Sequence, residues 1–166
     1  MSTPALTPLA AAVLRIGPAP ERVLEIECGE GDGVLFLARE FPAARVRGVD
    51  RSKDQIRAAA ARVGLDPEGR VAFKSGKRRS LPFPNDFFDL VAQIDGSPSV
   101  AEITRVLRPG GYLILACSDR PDGAVGRLAR WRLRRRGIEL GDEARAGDGS
   151  FSVGRLRGGD SALADD

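Results

Sequence analysis

The stretch from Arg22 to Gly33 constrains the fold more than any other. RVLEI is a short apolar strand that runs directly into Cys28-Gly29-Glu30-Gly31-Asp32-Gly33. Val34, Leu37, Ala38 and Phe41 then repeat at helical spacing, and Pro42 stops the run. A strand that enters a helix through a glycine turn is the first half of a βαβ unit. The chain repeats that alternation. Arg45–Asp50 reads as a second strand. Ser52 and Gln55 have capping-box spacing, followed by Ile56, Ala59, Ala60 and Val63 on one helical face, with Gly64 as a stop. Val71–Lys74 is a third strand, 75–87 a loop, and Phe88–Ile94 a fourth strand. Val100, Ile103 and Leu107 mark a helix cut off by Pro109-Gly110-Gly111. Tyr112–Cys117 (YLILAC) lacks polar alternation, as expected of a strand buried on both faces of a parallel sheet.

The flanks complete the pattern. Leu9, Ala12, Val13 and Ile16 form one helical face, ended by Gly17-Pro18-Ala19-Pro20. Ala124, Leu128 and Trp131 form another, ended near Gly137. Ile138–Ala146 and Ser150–Arg157 read as two strands joined around Gly147-Asp148-Gly149. Five strands alternating with helices, then a hairpin, predict an α/β doubly wound sheet, mostly parallel with an antiparallel C-terminal edge. The expected organisation is one domain over 1–157 and a disordered acidic tail over 158–166. At 166 residues, no separate substrate domain is expected.

Several function classes fall away on composition. The chain has no histidine, which removes His-based metal sites and every His-dependent triad or base. Cys28 and Cys117 are far apart and lack metal-ligand spacing, so no metal is expected and both read as buried thiols in a reducing cytoplasm. No run of about 18 apolar residues exists to span a membrane, and the N-terminus lacks a basic secretory n-region, so neither a membrane nor export is expected. Net charge is +3, and lysine occurs only at 53, 74 and 77. The arginine excess follows the chain's Ala- and Gly-rich composition and gives no reason to expect nucleic acid. Arg127–Arg136 holds six arginines around Trp131. It could bind phosphates or an acidic partner, but it reads first as a surface helix with Leu128 and Trp131 turned to the sheet and the arginines in solvent.

In a doubly wound sheet, ligands sit beyond the carboxyl ends of the strands at the switch point. The glycine turn lets backbone approach a ligand, and Asp50, at the end of the second strand, is placed to hold a ribose through its two hydroxyls. Asp50 is expected to face an open crevice beside Gly29 and Gly31. The spacing disfavours a nicotinamide cofactor, whose fingerprint needs glycines at i, i+2 and i+5. From Gly29 the third position is Val34, and starting at Glu27 or Cys28 fails as well.

Val23-Leu24-Glu25-Ile26 with Gly29 and Gly31 resembles the first motif of class I S-adenosylmethionine-dependent methyltransferases. Gly48-Val49-Asp50 resembles their second-strand motif. Leu81–Pro84 with Phe88–Val91 resembles the approach to their fourth strand, and Arg105–Gly111 (RVLRPGG) the turn into their fifth. Arg136–Ile138 through Gly149–Phe151 resembles their final hairpin. The likeness covers about residues 9–157. It implies a Rossmann-like sheet of order 3-2-1-4-5-7-6 and an S-adenosyl-L-methionine site. It places Glu25, Glu27, Gly29, Gly31, Asp50 and Arg51 at that site, with Lys77, Arg78 and Gln93 beside them. RVLRPGG lies at the opposite end of the sheet and has no catalytic role.

The chain departs from the pattern twice. Glu27 stands where the family usually has Gly, near the methionine portion of the cofactor. It would repel the cofactor carboxylate or attract its amino group, and both remain open on the sequence. Lys77 stands where Asp is frequent; an ammonium offers no acceptor to the adenine amino group. Both changes are expected to weaken binding. The stretch after Val91 is also short, leaving Gln93 and Asp95 of the substrate wall. No catalytic residue is assigned: Asp95 and Glu30 are the candidate bases, and each reads first as a solvated loop carboxylate. The leading expectation is methyl transfer to a small molecule. The alternative is a noncatalytic methyltransferase-like domain serving as a binding or interaction module.

Overall fold

The structure, a computed structural model, describes residues 6–159. Its elements are α1 (Pro8–Val13), β1 (Arg22–Ile26), α2 (Asp32–Glu40), β2 (Arg45–Asp50), α3 (Lys53–Arg62) and β3 (Val71–Ser75). They continue as β4 (Phe88–Ile94), α4 (Val100–Val106), β5 (Leu107–Cys117), α5 (Arg127–Arg135), β6 (Ile138–Leu140), β7 (Ala144–Ala146) and β8 (Gly149–Leu156). One eight-stranded sheet runs β3-β2-β1-β4-β5-β8-β6, with β7 pairing β8 beside that path. The pairs from β3 through β5 are parallel, and β8 pairs antiparallel to β5, β6 and β7. The expected order holds once β6 and β7 are taken as one interrupted strand. β1 lies between β2 and β4, so the chain reverses direction across the sheet there and creates the switch point.

Strand alternation splits the core between the two faces. Val23, Val46, Leu90, Ala92 and Ile114 pack on one face against Leu9, Val13, Val34 and Leu37, from α1 and α2. Leu24, Val49, Val91, Leu113 and Leu115 pack on the other against Ile103, Val106 and Leu133, from α4 and α5. The 76–87 segment stands where a crossover helix would fit between β3 and β4. Its Leu81 is pinned to α4: Glu102 accepts from the Leu81 amide, and Arg105 donates to the Leu81 and Phe83 carbonyls. The Arg105 guanidinium holds the Glu102 carboxyl below the usual range. Arg105 of the RVLRPGG run is therefore a structural clamp.

The structure corrects four expectations. Leu107 opens β5 rather than closing α4, because it pairs with Phe88 across a register shift in the β4–β5 ladder. The strand expected over 138–146 is broken at 141–143, where Gly141 bonds back to the Val153 carbonyl. The capping box at Ser52 works in one direction: its hydroxyl accepts from the Gln55 amide, while the Gln55 Oε1 is buried without a partner. The face expected of α5 is inverted. Ala124 precedes the helix, Leu128 and Trp131 are exposed, and Leu133 is the residue that meets the sheet. The tail expected over 158–166 lies outside the described residues from 160 onward. Among the described residues no helix is long and apolar enough to cross a membrane.

Candidate functional site

A cleft of about 360 Å³ opens beyond the carboxyl ends of β1 and β2, at the switch point. Ile26, Glu27, Val49 and Arg51 line one side, and Gly76 through Arg79 line the other. Backbone conformation shapes its rim. Gly29 has φ +53°, and a Cβ built there would meet nothing within 4 Å, so this turn faces open space. Gly31, at φ +87°, begins α2, and a Cβ there would come within 2.9 Å of Phe73. Gly29 therefore serves the opening, and Gly31 serves the packing of the turn.

Asp50 holds the turn in place. Its Oδ2 accepts from the Gly29 amide at 3.0 Å and its Oδ1 from the Ser52 amide at 2.9 Å. An ionised carboxylate has about four acceptor positions, so two remain for a ligand diol. The side chain is half-buried beside Gly29, between the cleft-lining Val49 and Arg51, and is not itself among the residues that line the cleft.

Glu27 is the unusual element of the cleft. Its φ is +56°, a conformation that favours glycine. The side chain crosses toward β4 and the 76–79 turn, where Oε1 lies 3.5 Å from Arg78 Nη1 and Oε2 accepts from Gln93 Nε2 at 3.2 Å. Gly96 makes room for it, since a Cβ there would stand 2.7 Å from Glu27 Oε2. Gln93 is buried behind this pair, with its Oε1 unpartnered. The structure thus brings Glu27, Arg78 and Gln93 together and sets Arg51 and Lys77 on the cleft wall. Four basic side chains, Arg51, Lys77, Arg78 and Arg79, face one lining carboxylate.

Glu25 takes a different position. It is 4% exposed, beneath the glycine turn, with its carboxylate against Gly33 and its Oε2 unpartnered. Burial, reinforced by the Asp32 charge, pushes its carboxyl up to about 8. Burial, with the Glu25 and Asp50 charges, likewise pushes the Cys28 thiol up to about 12, so this thiol is inert at neutral pH. Asp95 is exposed and spends both oxygens on Ser118, on its amide at 2.9 Å and its hydroxyl at 2.6 Å. Glu30 is exposed. Asp95, Cys117 and Asp119 bring ligand-type atoms within 4.8 Å of one another, a grouping that sequence spacing does not show. Arg120 Nε already sits 3.2 Å from the Cys117 sulfur, placing a cation there.

Sequence reasoning missed Ile26, Val49, Gly76 and Arg79 as cleft residues. Val49 was available from its place one residue before Asp50. Gly76 and Arg79 lie on an irregular loop, where no periodicity marks which side chains turn inward.

The family model described as a methyltransferase domain matches residues 23–111. The chain is 37% identical over 101 residues to the fatty-acid O-methyltransferase of Mycolicibacterium smegmatis, covering 57% of this chain and 36% of that one. It is 36% identical over 113 residues to the phthiotriol/phenolphthiotriol dimycocerosates methyltransferase of Mycobacterium leprae, covering 64% and 40%. The chain thus spans well under half the length of these curated relatives. A SAM dependent methyltransferase structure from Aquifex aeolicus superposes with a TM-score of 0.72 at 20% identity, covering 90% of this chain and 89% of that one. The glycine turn, the acid at the end of β2 and the match across β1 to β5 agree: the chain belongs to the class I S-adenosylmethionine-dependent methyltransferase family.

Proposed function

We propose that this chain binds S-adenosyl-L-methionine in the β1–β2 cleft and transfers its methyl group to a small, apolar molecule. The observation that carries the reading is Asp50, held by two amides with two acceptor positions left over, beside the open turn at Gly29. Asp50 would take the ribose hydroxyls, Val49 and Gly76 would flank the adenine, and Lys77 would sit at its edge. Glu27 and Arg78 offer opposite charges 3.5 Å apart, matching the ammonium and carboxylate of the cofactor's amino-acid end. On this reading Glu27 is a receptor for the amino group, and its exchange for the family's glycine is an adaptation. When bound, the cofactor supplies a methyl group on an electrophilic sulfonium.

The chain's own residues then bind and orient. Positioning of the acceptor in line supplies much of the rate in such a transfer. The names of the two curated relatives, one for a fatty acid and one for phthiotriol dimycocerosates, support an apolar acceptor. The two buried free thiols support a reducing cytoplasm. Titration calorimetry with S-adenosylmethionine, its demethylated product and a nicotinamide cofactor tests the reading. The expected result is binding of the first two alone, and binding of neither overturns it.

A further inference from the structure

α5 carries the surface that departs furthest from its expected environment. Leu133 faces the sheet at 0% exposure, whereas Leu128 and Trp131 are 57% and 53% exposed. At 3.6 residues per turn, Leu128, Trp131 and Arg135 share the side opposite Leu133. Arg127 and Arg134 flank that side on one edge and Arg132 on the other. The Arg135 guanidinium lies 5.1 Å from the centre of the Trp131 ring. Among the described residues none of these four arginines forms an ion pair.

The outward side of α5 is thus two apolar bodies ringed by unneutralised guanidinium groups. The apolar bodies favour leaving water, and the guanidinium groups favour anions. An anionic bilayer interface meets both demands, because its acyl boundary takes the indole and leucine while its phosphates take the arginines. A single-stranded nucleic acid meets the charge demand, but the helix presents a single aromatic ring where stacking uses several. We propose that α5 docks this chain onto an anionic phospholipid surface, with Leu128 and Trp131 at the acyl boundary and the flanking arginines on headgroup phosphates. The expectation of no membrane rests on the lack of a spanning segment. An interfacial helix lies along the surface and needs none.

The placement gives docking a consequence. A groove of about 530 Å³ between α5 and Pro98–Ala101 is lined by Trp131, Arg132 and Arg135, and by Arg79, which also lines the cleft. Docking through α5 therefore brings the cleft mouth toward the lipid. If methyl transfer is the activity, an apolar acceptor reaches it from the interface; the docking itself does not rest on that reading.

Trp131 is the only tryptophan in the chain, so its emission reports the contact directly. The test uses the full chain with vesicles of equal phosphatidylglycerol and phosphatidylcholine, and with phosphatidylcholine alone, read by emission and by co-sedimentation. The expected result is a blue shift and sedimentation with the anionic vesicles only, weakening as salt rises. Arg132→Gln with Arg134→Gln should lower partitioning about fivefold per arginine, or about 25-fold together. Leu128→Ser should lower it about tenfold by removing the apolar anchor. All three positions are exposed, and circular dichroism confirms that the variants fold. Any of four results overturns the proposal: no binding to anionic vesicles, equal binding to both kinds, binding indifferent to Leu128→Ser, or tighter binding to a single-stranded oligonucleotide than to vesicles. A buried-indole emission before vesicles are added also overturns it, because another part of the chain or a second copy then covers the face. No arm reads activity, so failure here leaves the methyl-transfer reading standing.

Discussion

Replacing Glu25 by glutamine should flatten the pH dependence of stability. The folded protein holds this carboxyl at about 8, against an ordinary value of 4.5, because it is buried beneath the glycine turn beside Asp32. The folded chain therefore keeps the proton on Glu25 across the neutral range, whereas the unfolded chain releases it above about 4.5. The unfolded state binds fewer protons there, so stability falls as pH rises. The contribution is fully present below the unfolded value and is lost as pH climbs to the folded one. Each pH unit in that window is about 1.4 kcal/mol, so moving from pH 5 to pH 8 withdraws on the order of 3–4 kcal/mol. For a domain of this size that is a fall in Tm of roughly 10 °C. Glutamine is neutral at every pH and nearly the same shape. Glu25→Gln should match the wild type near pH 5 and exceed it increasingly up to pH 8. Thermal melts of both proteins at half-unit intervals give the two slopes. Equal slopes would refute the reasoning, because the carboxyl would then be titrating alike in both states.

Other substitutions probe the cleft. Asp50→Ala should weaken S-adenosylmethionine binding by about 1.5–3 kcal/mol, measured by calorimetry, through loss of hydrogen bonds to a charged acceptor. Glu27→Gly should loosen the same ligand about tenfold by removing the partner of its amino group; tighter binding would mean that Glu27 obstructs the cleft. Lys77→Asp should act in the opposite direction, tightening binding about fivefold by offering an acceptor to the adenine amino group. Gly96→Ala should lower stability by about 1–3 kcal/mol in a denaturant titration, because φ is +80° and the new Cβ would stand 2.7 Å from Glu27 Oε2.

The sheet was legible because its signal is periodic. Apolar runs bounded by Gly and Pro located β1, β2 and β4 to the residue, and the single glycine turn located the switch point. Failures occurred where tertiary contacts overrode local pattern. Leu107 continues the helical spacing of Val100 and Ile103, yet a ladder bond to Phe88 pulls it into β5. Leu128 and Trp131 satisfy a helical period, but so does Leu133, and the sequence gives no rule for choosing which apolar residue meets the sheet. Asp50 was legible as the acid that ends β2, and its bond to the Gly29 amide follows from that position. The Glu27–Arg78–Gln93 grouping was not, since its members are 51 and 66 residues from Glu27 along the chain and meet only when β1, β4 and the 76–79 turn are assembled.

The two ends of the sheet differ in a way that locates function without any relative. At the amino end, groups are satisfied: Asp89 accepts from the Glu21 and Arg22 amides at 2.9 Å each and pairs with Arg108. At the carboxyl end, costs accumulate. Glu27 and Asp95, directly after β1 and β4, are two of the three described non-glycine residues with positive φ; the third, Asp86, precedes β4 at the amino end. Each such residue costs on the order of 1–3 kcal/mol. Gln93 and Glu25 add buried oxygens without partners. A chain with marginal stability keeps such costs where the geometry they enforce has a use. Glu27 is the clearest instance. Glycine would remove the strain at φ +56°, and what the carboxylate adds is a half-buried pair with Arg78 at 3.5 Å. Its place at the cleft, a negative charge 3.5 Å from Arg78, fits the proposed role of receiving a ligand's amino group better than a role in the fold.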